Sequence, residues 1–369
     1  MISQTAVLSR RALNRATLER QLLLSRSDRS VVEAVEHLVG LQAQTPHTWY
    51  VGLWSRLAGF RPERAGDLLT DRRLVRIALM RGTIHLVSAE DCLALRPLVQ
   101  SALERSLLTS MHGRSVKSVD RAELVTVGRA LLEEQPRTLA ELAALLEERW
   151  PERGADSLAY GVRNLSPLVQ LPPRGVWGRS GRTRHTTAEH WLGRPLDPAP
   201  DLQRMVLRYL AAFGPASVMD IQTWSGLTRL AEVVDRLRAQ LVVLRDHQGR
   251  ELFDLPDAPR PDPDVPSPPR FLYDFDNLLL SHADRSRVMS DAHGAQSAPK
   301  NGLLPGCVLV DGFTAGTWKI TRGRGAAVLA VTPFAPLSRQ DAEALCEEGE
   351  RLLAFAAPEA AEREVRHLG

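Results

Sequence analysis

Apolar residues recur at helical spacing across residues 31–39, and this periodicity predicts a helix. Ser30 and Glu33 match the S-x-x-E capping box at its start, and Gly40 suits the left-handed residue that ends a helix. Similar patterns predict two more helices and two strands, at residues 9–24, 49–57, 74–80 and 83–87. Three helices followed by a two-stranded ribbon are typical of a winged-helix unit, which we place at residues 1–90.

Two further units repeat this order of helices and a hairpin without repeating the sequence. Thr138 and Glu141 form another capping box in a second unit at residues 137–195, and a third unit covers residues 196–256. The remaining segments are connecting helices, a stiff proline-rich linker and a β-rich domain with a terminal helix, at residues 91–136, 257–270 and 271–369. The predicted fold class is α+β, mainly helical with small β wings.

The composition is that of a globular protein of two to four domains, because 44% of the 369 residues are hydrophobic and 25% are charged. No apolar run reaches the ~18 residues that a membrane span needs. The N-terminus lacks an apolar signal core, so we expect no export and a cytoplasmic location. Cys92, Cys307 and Cys346 lie too far apart in sequence for a disulfide framework or a zinc cluster.

The net charge of +3, with a pI near 8.9, points only weakly to an anionic partner. The type of basic residue is more informative, because only three of the 47 are lysines. Arginine suits bidentate contacts with phosphate and guanine, although GC-rich coding explains most of this bias. The few lysines leave few amines for a lyase that forms a Schiff base.

Gln42 and Gln44 carry the candidate chemistry of the chain. Pro46 biases Thr45 away from helical dihedrals, so the segment after Gly40 is predicted to be extended or turning. Residues two apart share a side of an extended chain, so the two amides would form a small cluster of donors and acceptors. A polar loop between two helices explains the same residues, and the local pattern leaves both interpretations open.

Five segments, in the same order, resemble one family closely. They are residues 13–16 (LNRA), 41–44 (LQAQ), 80–86 (MRGTIHL), 276–285 (DNLLLSHADR) and 310–318 (VDGFTAGTW). The chain resembles the winged-helix DNA glycosylases of the AlkZ and YcaQ family from about residue 8 to about residue 335. The Gln-x-Gln form is similar to the AlkZ branch. The resemblance implies that the three units form a C-shaped scaffold for DNA.

The resemblance also implies a monofunctional glycosylase for N7-alkylguanine, including bulky natural-product adducts and interstrand crosslinks. Gln42 and Gln44 match the catalytic pair of the family. Cleavage of an N-glycosidic bond passes through an oxocarbenium-like sugar. An amide does not titrate, but it can orient a water and face the developing positive charge. The YcaQ pattern has Asp at the position of Gln44, so a strong general-base step is in doubt for this chain.

The predicted DNA contacts lie in the matching segments, in an exposed helix face of the second unit, and at a basic hairpin tip. They are Arg81, His85, Arg163, Asn277, His282, Arg285, Arg322 and Arg324. His85 fits a core histidine equally well, and the residues from 277 to 285 fit a structural polar network equally well. A basic stretch at residues 178–185 fits a phosphate-contacting loop or a solvated one.

The expected partner is double-stranded DNA carrying alkylated purines, and the expected location is the cytoplasm, at the nucleoid. We expect no cofactor, metal, membrane or protein partner, and a monomer. Tandem winged helices also occur in transcription regulators, so a non-enzymatic DNA-binding regulator is the alternative function. A relative with a degraded site that only shields damaged DNA is a third interpretation. Self-resistance in an antibiotic producer would fit the interpretation as a DNA glycosylase.

Overall fold

The computed structural model describes residues 6–295 and 305–367, so parts of the first and last predicted domains lie outside the described residues. Within these ranges the chain forms fifteen α-helices and three sheets, which confirms the predicted α+β class. No helix in the described part of the chain is long and apolar enough to span a membrane.

The first elements, in chain order, are β1 (Val7–Leu8), α1 (Arg10–Arg20), α2 (Val31–His37), β2 (Leu41–Gln42), α3 (Trp49–Trp54), α4 (Pro62–Thr70), β3 (Leu74–Ala78) and β4 (Ile84–Ser88). Next come α5 (Ala89–Thr109), α6 (Gly113–Lys117), α7 (Arg121–Glu134), α8 (Leu139–Arg149), α9 (Ala155–Leu165), β5 (Leu168–Gln170), β6 (His185–Thr187) and α10 (Ala188–Leu192).

The third group is α11 (Leu202–Phe213), α12 (Val218–Ser225), α13 (Ala231–Leu237), β7 (Val242–Asp246) and β8 (Glu251–Asp254). The last is β9 (Arg270–Leu272), α14 (Asp291–Ala295), β10 (Gly306–Val310), β11 (Phe313–Arg322), β12 (Ala326–Pro333), α15 (Arg339–Ala356) and β13 (Glu362–His367). Single turns of 3₁₀ helix lie at Met80–Gly82, Arg238–Gln240 and Asn277–Leu279.

The predicted signals around α2 are confirmed. Ser30 Oγ accepts from the backbone N–H of Glu33, and the Glu33 carboxylate accepts from the N–H of Ser30. After the helix, Gly40 adopts φ +88°. A Cβ at that position would lie 2.7 Å from Val87 Cγ1, so glycine is needed both for its dihedral angle and for the close approach of β4. The turn therefore delivers the chain directly into β2.

The predicted ribbon of the first unit, β3 and β4, joins β2 and the strands of the second unit, β5 and β6, in one antiparallel sheet with the order β2-β4-β3-β5-β6. β3 pairs with β4 as expected, and it also pairs with β5 through Arg76 opposite Gln170 and Ile77 opposite Val169. Every residue of β3 and β4 is buried, which is typical of strands covered on both faces. Separate ribbons were predicted, but the structure has a continuous sheet.

Two hydrophobic cores meet at the glutamine segment. Val39 packs in the core formed by α5 and by helices α11 to α13, whereas Leu41 and Ala43 pack in the core shared by α3 and the C-terminal sheet. That sheet has the order β13-β12-β11-β10-β9. The segment therefore lies where the first unit, the third unit and the C-terminal domain pack together, which fixes its position from several sides.

Three expectations about single segments need correction. The first unit has four helices where three were predicted. The missed helix is α4, although Pro62 occupies a favoured first helical position. A terminal helix was predicted for the last domain, but after α15 the strand β13 pairs in parallel with β12 and covers its edge. The proline-rich linker does not stand free, because carbonyls of Pro259, Pro263 and Val265 accept from arginines of α1.

Candidate active site

Gln42 lies on the short strand β2 and Gln44 on the bend that follows it, in agreement with the predicted extended or turning segment. Gln42 is opposite His85 in the antiparallel ladder of β2 and β4. The ladder ends there, and the backbone N–H of Ile84 donates to Gln44 Oε1 at 3.1 Å instead of to a further strand residue. Only 3% of Gln42 is exposed, whereas Gln44 is an exposed residue. One amide of the pair is therefore buried in the protein, and the other faces solvent.

Three residues hold Gln42 in place. Its side-chain Oε1 accepts from Arg81 Nη2 at 2.8 Å, its backbone carbonyl accepts from the hydroxyl of Tyr273 at 2.9 Å, and its N–H donates to Asn277 Oδ1 at 3.3 Å. Because a guanidinium only donates, the oxygen end of the Gln42 amide must face Arg81. One lone pair of that oxygen remains for a second donor, such as a water.

Arg81 is itself held in an uncommon backbone conformation. Its φ is +57°, in the left-handed region that side chains other than Gly and Asn rarely adopt. Its Nη1 donates to the carbonyl of Trp224 at 2.5 Å, which ties the turn to the end of α12. Burial lowers the pKa of Arg81 to about 10, so the guanidinium remains charged at neutral pH. The residue places a fixed positive charge beside Gln42.

The predicted DNA contact of His85 is corrected by its burial, since only 1% of the residue is exposed. Its Nδ1 donates to the carbonyl of Thr83 at 3.0 Å, which leaves Nε2 as an unprotonated acceptor with no partner. Burial, with the nearby charge of Arg81, lowers the pKa of His85 to about 3. His85 is therefore a neutral residue beneath the glutamine pair and not a proton donor.

Asn277 and His282 are also buried, so their predicted DNA contacts are corrected to scaffold contacts. Asn277 Nδ2 donates to the carbonyl of Gly40 at 2.6 Å, so its amide braces both ends of the turn into β2. The preceding Asp276 forms a fully buried bidentate pair with Arg56. His282 Nε2 donates to the carbonyl of Phe213 at 2.9 Å. The DNLLLSHADR segment, which resembles the family, thus supplies residues that support the site.

The other predicted DNA-binding arginines do not contact the glutamines. Arg163 is half-buried, with its guanidinium 5.4 Å from the ring centroid of Tyr160, and Arg285 is also half-buried. At the hairpin between β11 and β12, Arg322 and Arg324 are exposed, and Arg322 Nη2 donates to the carbonyl of Ala356 at 2.8 Å. Their side chains are accessible, and their role with DNA stays a prediction.

Several residues around the segment were missed from the sequence. Tyr273 and Arg76 each bond a backbone carbonyl of it, since Arg76 Nη2 donates to the carbonyl of Ala43 at 2.8 Å. Thr45 Oγ1 donates to Asp274, whose other oxygen is buried without a partner. A charged residue within a strand that is otherwise apolar was an available signal for Arg76. For Tyr273 no local signal existed.

Comparison with known proteins bears on the fold and the family of the chain. The model of the AlkZ-like DNA glycosylase family matches residues 35–355. An interstrand DNA cross-link repair glycosylase from Streptomyces sahachiroi is 25% identical over 356 residues, covering 90% of this chain and 92% of the relative. The solved structure of the DNA glycosylase AlkZ from S. sahachiroi has a TM-score of 0.79 at 22% identity, covering 98% of this chain and 100% of that one. The chain therefore belongs to the AlkZ-like DNA glycosylase family.

Proposed function

We propose that this glycosylase hydrolyses the N-glycosidic bond of cationic N7-alkylguanine in duplex DNA. The observation that carries the proposal is the Gln42 amide, held by Arg81 with one lone pair left, beside the exposed amide of Gln44. A pair of neutral amides suffices only when the departing base needs no protonation. Guanine alkylated at N7 already carries a positive charge, so it leaves as a neutral base.

In this mechanism Gln44 orients the attacking water and Gln42 faces the sugar as its positive charge develops. Preorganised dipoles of this kind lower a barrier because they do not reorganise during the reaction. Arg81 fixes the orientation of the Gln42 amide through its bond to Oε1, and the remaining lone pair of that oxygen is the one that faces the sugar. The amides do not titrate, and His85 stays neutral far above its pKa of about 3.

The mode of DNA binding is part of the same proposal. We infer that the three helix-and-hairpin segments act as winged helices in a C-shaped scaffold, and that a monomer binds DNA at the cytoplasmic nucleoid. Arg163, Arg285, Arg322 and Arg324 supply phosphate or minor-groove contacts. The name of the S. sahachiroi relative, an interstrand DNA cross-link repair glycosylase, supports bulky adducts and crosslinks as substrates and would fit a role in antibiotic self-resistance.

The test is single-turnover release of N7-methylguanine from duplex DNA. Gln42→Ala and Gln44→Ala should each slow release by roughly 100-fold, the usual loss for one preorganised dipole, with nearly unchanged DNA affinity. Gln340→Ala, at an exposed glutamine of α15, is the matched control and should retain full activity. Full activity in the Gln42/Gln44 double variant would refute the catalytic assignment.

The pH dependence provides a second readout on the same substrate. Between pH 6 and 9 the rate should stay nearly constant, because no group in the mechanism titrates in that window. A steep fall toward acid would instead indicate a carboxylate base. Asp274 would then be the first candidate, because it is bonded to Thr45, directly after Gln44.

A further inference from the structure

A cleft of about 510 Å³ opens beside the glutamine segment. Its walls come from three parts of the chain that are far apart in sequence: the end of the glutamine segment, the basic loop before β6, and the hairpin side of the C-terminal domain. The residues used below are His47, Trp177, Arg179, Ser180, Arg322 and Glu359. Neither glutamine lines this cleft or the larger cavity of about 830 Å³ between α5 and α11, but only the cleft includes a residue, His47, that closely follows Gln44 in the chain.

The cleft is close to the reacting bond of the proposed mechanism. His47 follows Gln44 by three residues, and three residues of fully extended chain span at most about 11 Å. The Nδ1 of His47 is buried and has no hydrogen-bond partner. The backbone of His47 therefore lies within about 11 Å of that of Gln44, a distance that a substituent of a few fused rings can span.

The opposite wall is rigid. The hydroxyl of Tyr50 donates to the carbonyl of Gly175 at 3.0 Å and accepts from the backbone N–H of Trp177 at 2.9 Å. The Trp177 ring lies 4.9 Å from the ring of Tyr50 and 5.4 Å from that of Phe355, between centroids. The loop is thus anchored to α3 and α15, and the indole is a fixed, half-buried surface.

The lining combines this indole and an imidazole with the exposed guanidinium groups of Arg179 and Arg322. Flat aromatic surfaces and cations together suit a planar, electron-rich organic group with hydrogen-bond acceptors. The volume falls in the range of small-molecule sites, about 300–1,000 Å³. A backbone phosphate needs no such volume, and Glu359 in the lining offsets one of the two arginine charges that would attract it.

We propose that the cleft binds the part of a bulky N7-guanine adduct that is not the nucleobase. This rests on the proposed function and deepens it, because it assigns the site that recognises planar substituents. The glutamine pair acts on the sugar–base bond common to all N7-alkylguanines, and the cleft adds affinity only for those with a large flat group.

The test fills the cleft without touching the glutamines. Ser180→Phe places a ring in the cleft from an exposed position, and Ser25→Phe makes the same change at an exposed serine outside it. The substrates are one duplex with N7-methylguanine and the same duplex with the aflatoxin B1 adduct at guanine N7. Ser180→Phe should slow release of the aflatoxin adduct at least 10-fold and that of N7-methylguanine less than twofold, while Ser25→Phe should change neither.

Equal slowing of both substrates would mean that the cleft holds DNA present in each, such as a phosphate, and would overturn the proposal. No effect on either would overturn it too. A binding measurement separates this outcome from failure of the proposed function. The wild-type protein should bind the aflatoxin duplex at least 10-fold more tightly than the methylated one, and Ser180→Phe should abolish that preference even if no base is released.

Discussion

Gln42 is fixed through its side chain and through both of its backbone groups. One of its partners, Arg81, is held in a strained backbone conformation, which lowers the stability of the fold. A residue held in the left-handed region costs on the order of 1–3 kcal/mol. A hydrogen bond to a charged group returns about 1.5–3 kcal/mol, so the Arg81 bonds to Gln42 and Trp224 can offset the strain. Together the two bonds outweigh that strain, and they link Gln42 to α12 through Arg81.

Arg81→Met keeps much of the side-chain volume but removes the donor to Gln42. The Gln42 amide would then lose its fixed direction, so single-turnover release of N7-methylguanine should fall about 10-fold or more. Arg285→Met is the control: it removes a nearby half-buried charge that does not bond Gln42, so as a proposed DNA contact it should weaken DNA affinity but leave the saturating rate unchanged. If Arg81→Met weakens DNA affinity and leaves the saturating rate intact, Arg81 binds DNA and does not position the amide.

The residue pair itself was readable from the sequence, because the LQAQ motif and its flanking Gly40 and Pro46 are contiguous. The residues that hold the pair in place could not be predicted. Asn277 and Tyr273 lie 235 and 231 residues from Gln42, and nothing local to either indicates the contact. The burial of His85 and His282 was equally hidden, since a histidine in an apolar stretch fits a ligand or a core residue.

At the scale of elements, the local signals were reliable and the pairing between elements was not. Both predicted capping boxes are present, because each depends on residues three apart. The joining of β3 to β5 depends on residues roughly 90 positions apart, and these short, largely buried strands give no sign of which neighbour they have. The tail strand β13 and the contacts of the proline-rich stretch were missed for the same reason.

The turn into β2 offers a test of how strongly element geometry controls the site. Gly40→Ala adds a methyl group where Val87 is 2.7 Å away, at φ +88°, so it should shift β2 and lower both stability and excision. Gly59→Ala is a matched control, since Gly59 also has positive φ but nothing within 4 Å. Both changes cost about 1–2 kcal/mol in backbone strain.

Urea unfolding should therefore show a larger loss for Gly40→Ala than for Gly59→Ala, and only the first should slow release of N7-methylguanine. Equal losses in both variants with normal excision would mean that β2 tolerates the displacement. The contact between Gly40 and Val87 would then have no role in placing the glutamines.

For the whole molecule, the net charge of +3 says little, because many arginines are occupied within the fold. In the basic loop before β6, Arg182 and Arg184 both lie 3.2 Å from Glu141, so that stretch is less cationic than its sequence suggests. The exposed hairpin arginines are therefore stronger candidates for DNA binding than the arginines of the basic loop. Fold alone did not separate an enzyme from a regulator, and the family does.

Arg324→Ala tests the hairpin as a DNA contact. Loss of one phosphate contact should lower the slope of log affinity against log salt by about 0.9 and weaken binding similarly for all sequences. Arg339→Ala removes an exposed arginine at the start of α15 and serves as the control. An unchanged slope for Arg324→Ala, measured by fluorescence anisotropy on undamaged duplex, would place the hairpin away from the phosphates.

The continuous sheet from β2 to β6 has a consequence for how damage is found. Backbone hydrogen bonds from β4 through β3 to β5 hold the loop bearing Trp177 at a set distance from the glutamines, so the recognition elements are assembled when the chain folds. Binding of a lesion then requires no lid to close, because the entropy cost of ordering these elements is already included in folding. We therefore expect free and DNA-bound crystal forms to superpose closely in this region.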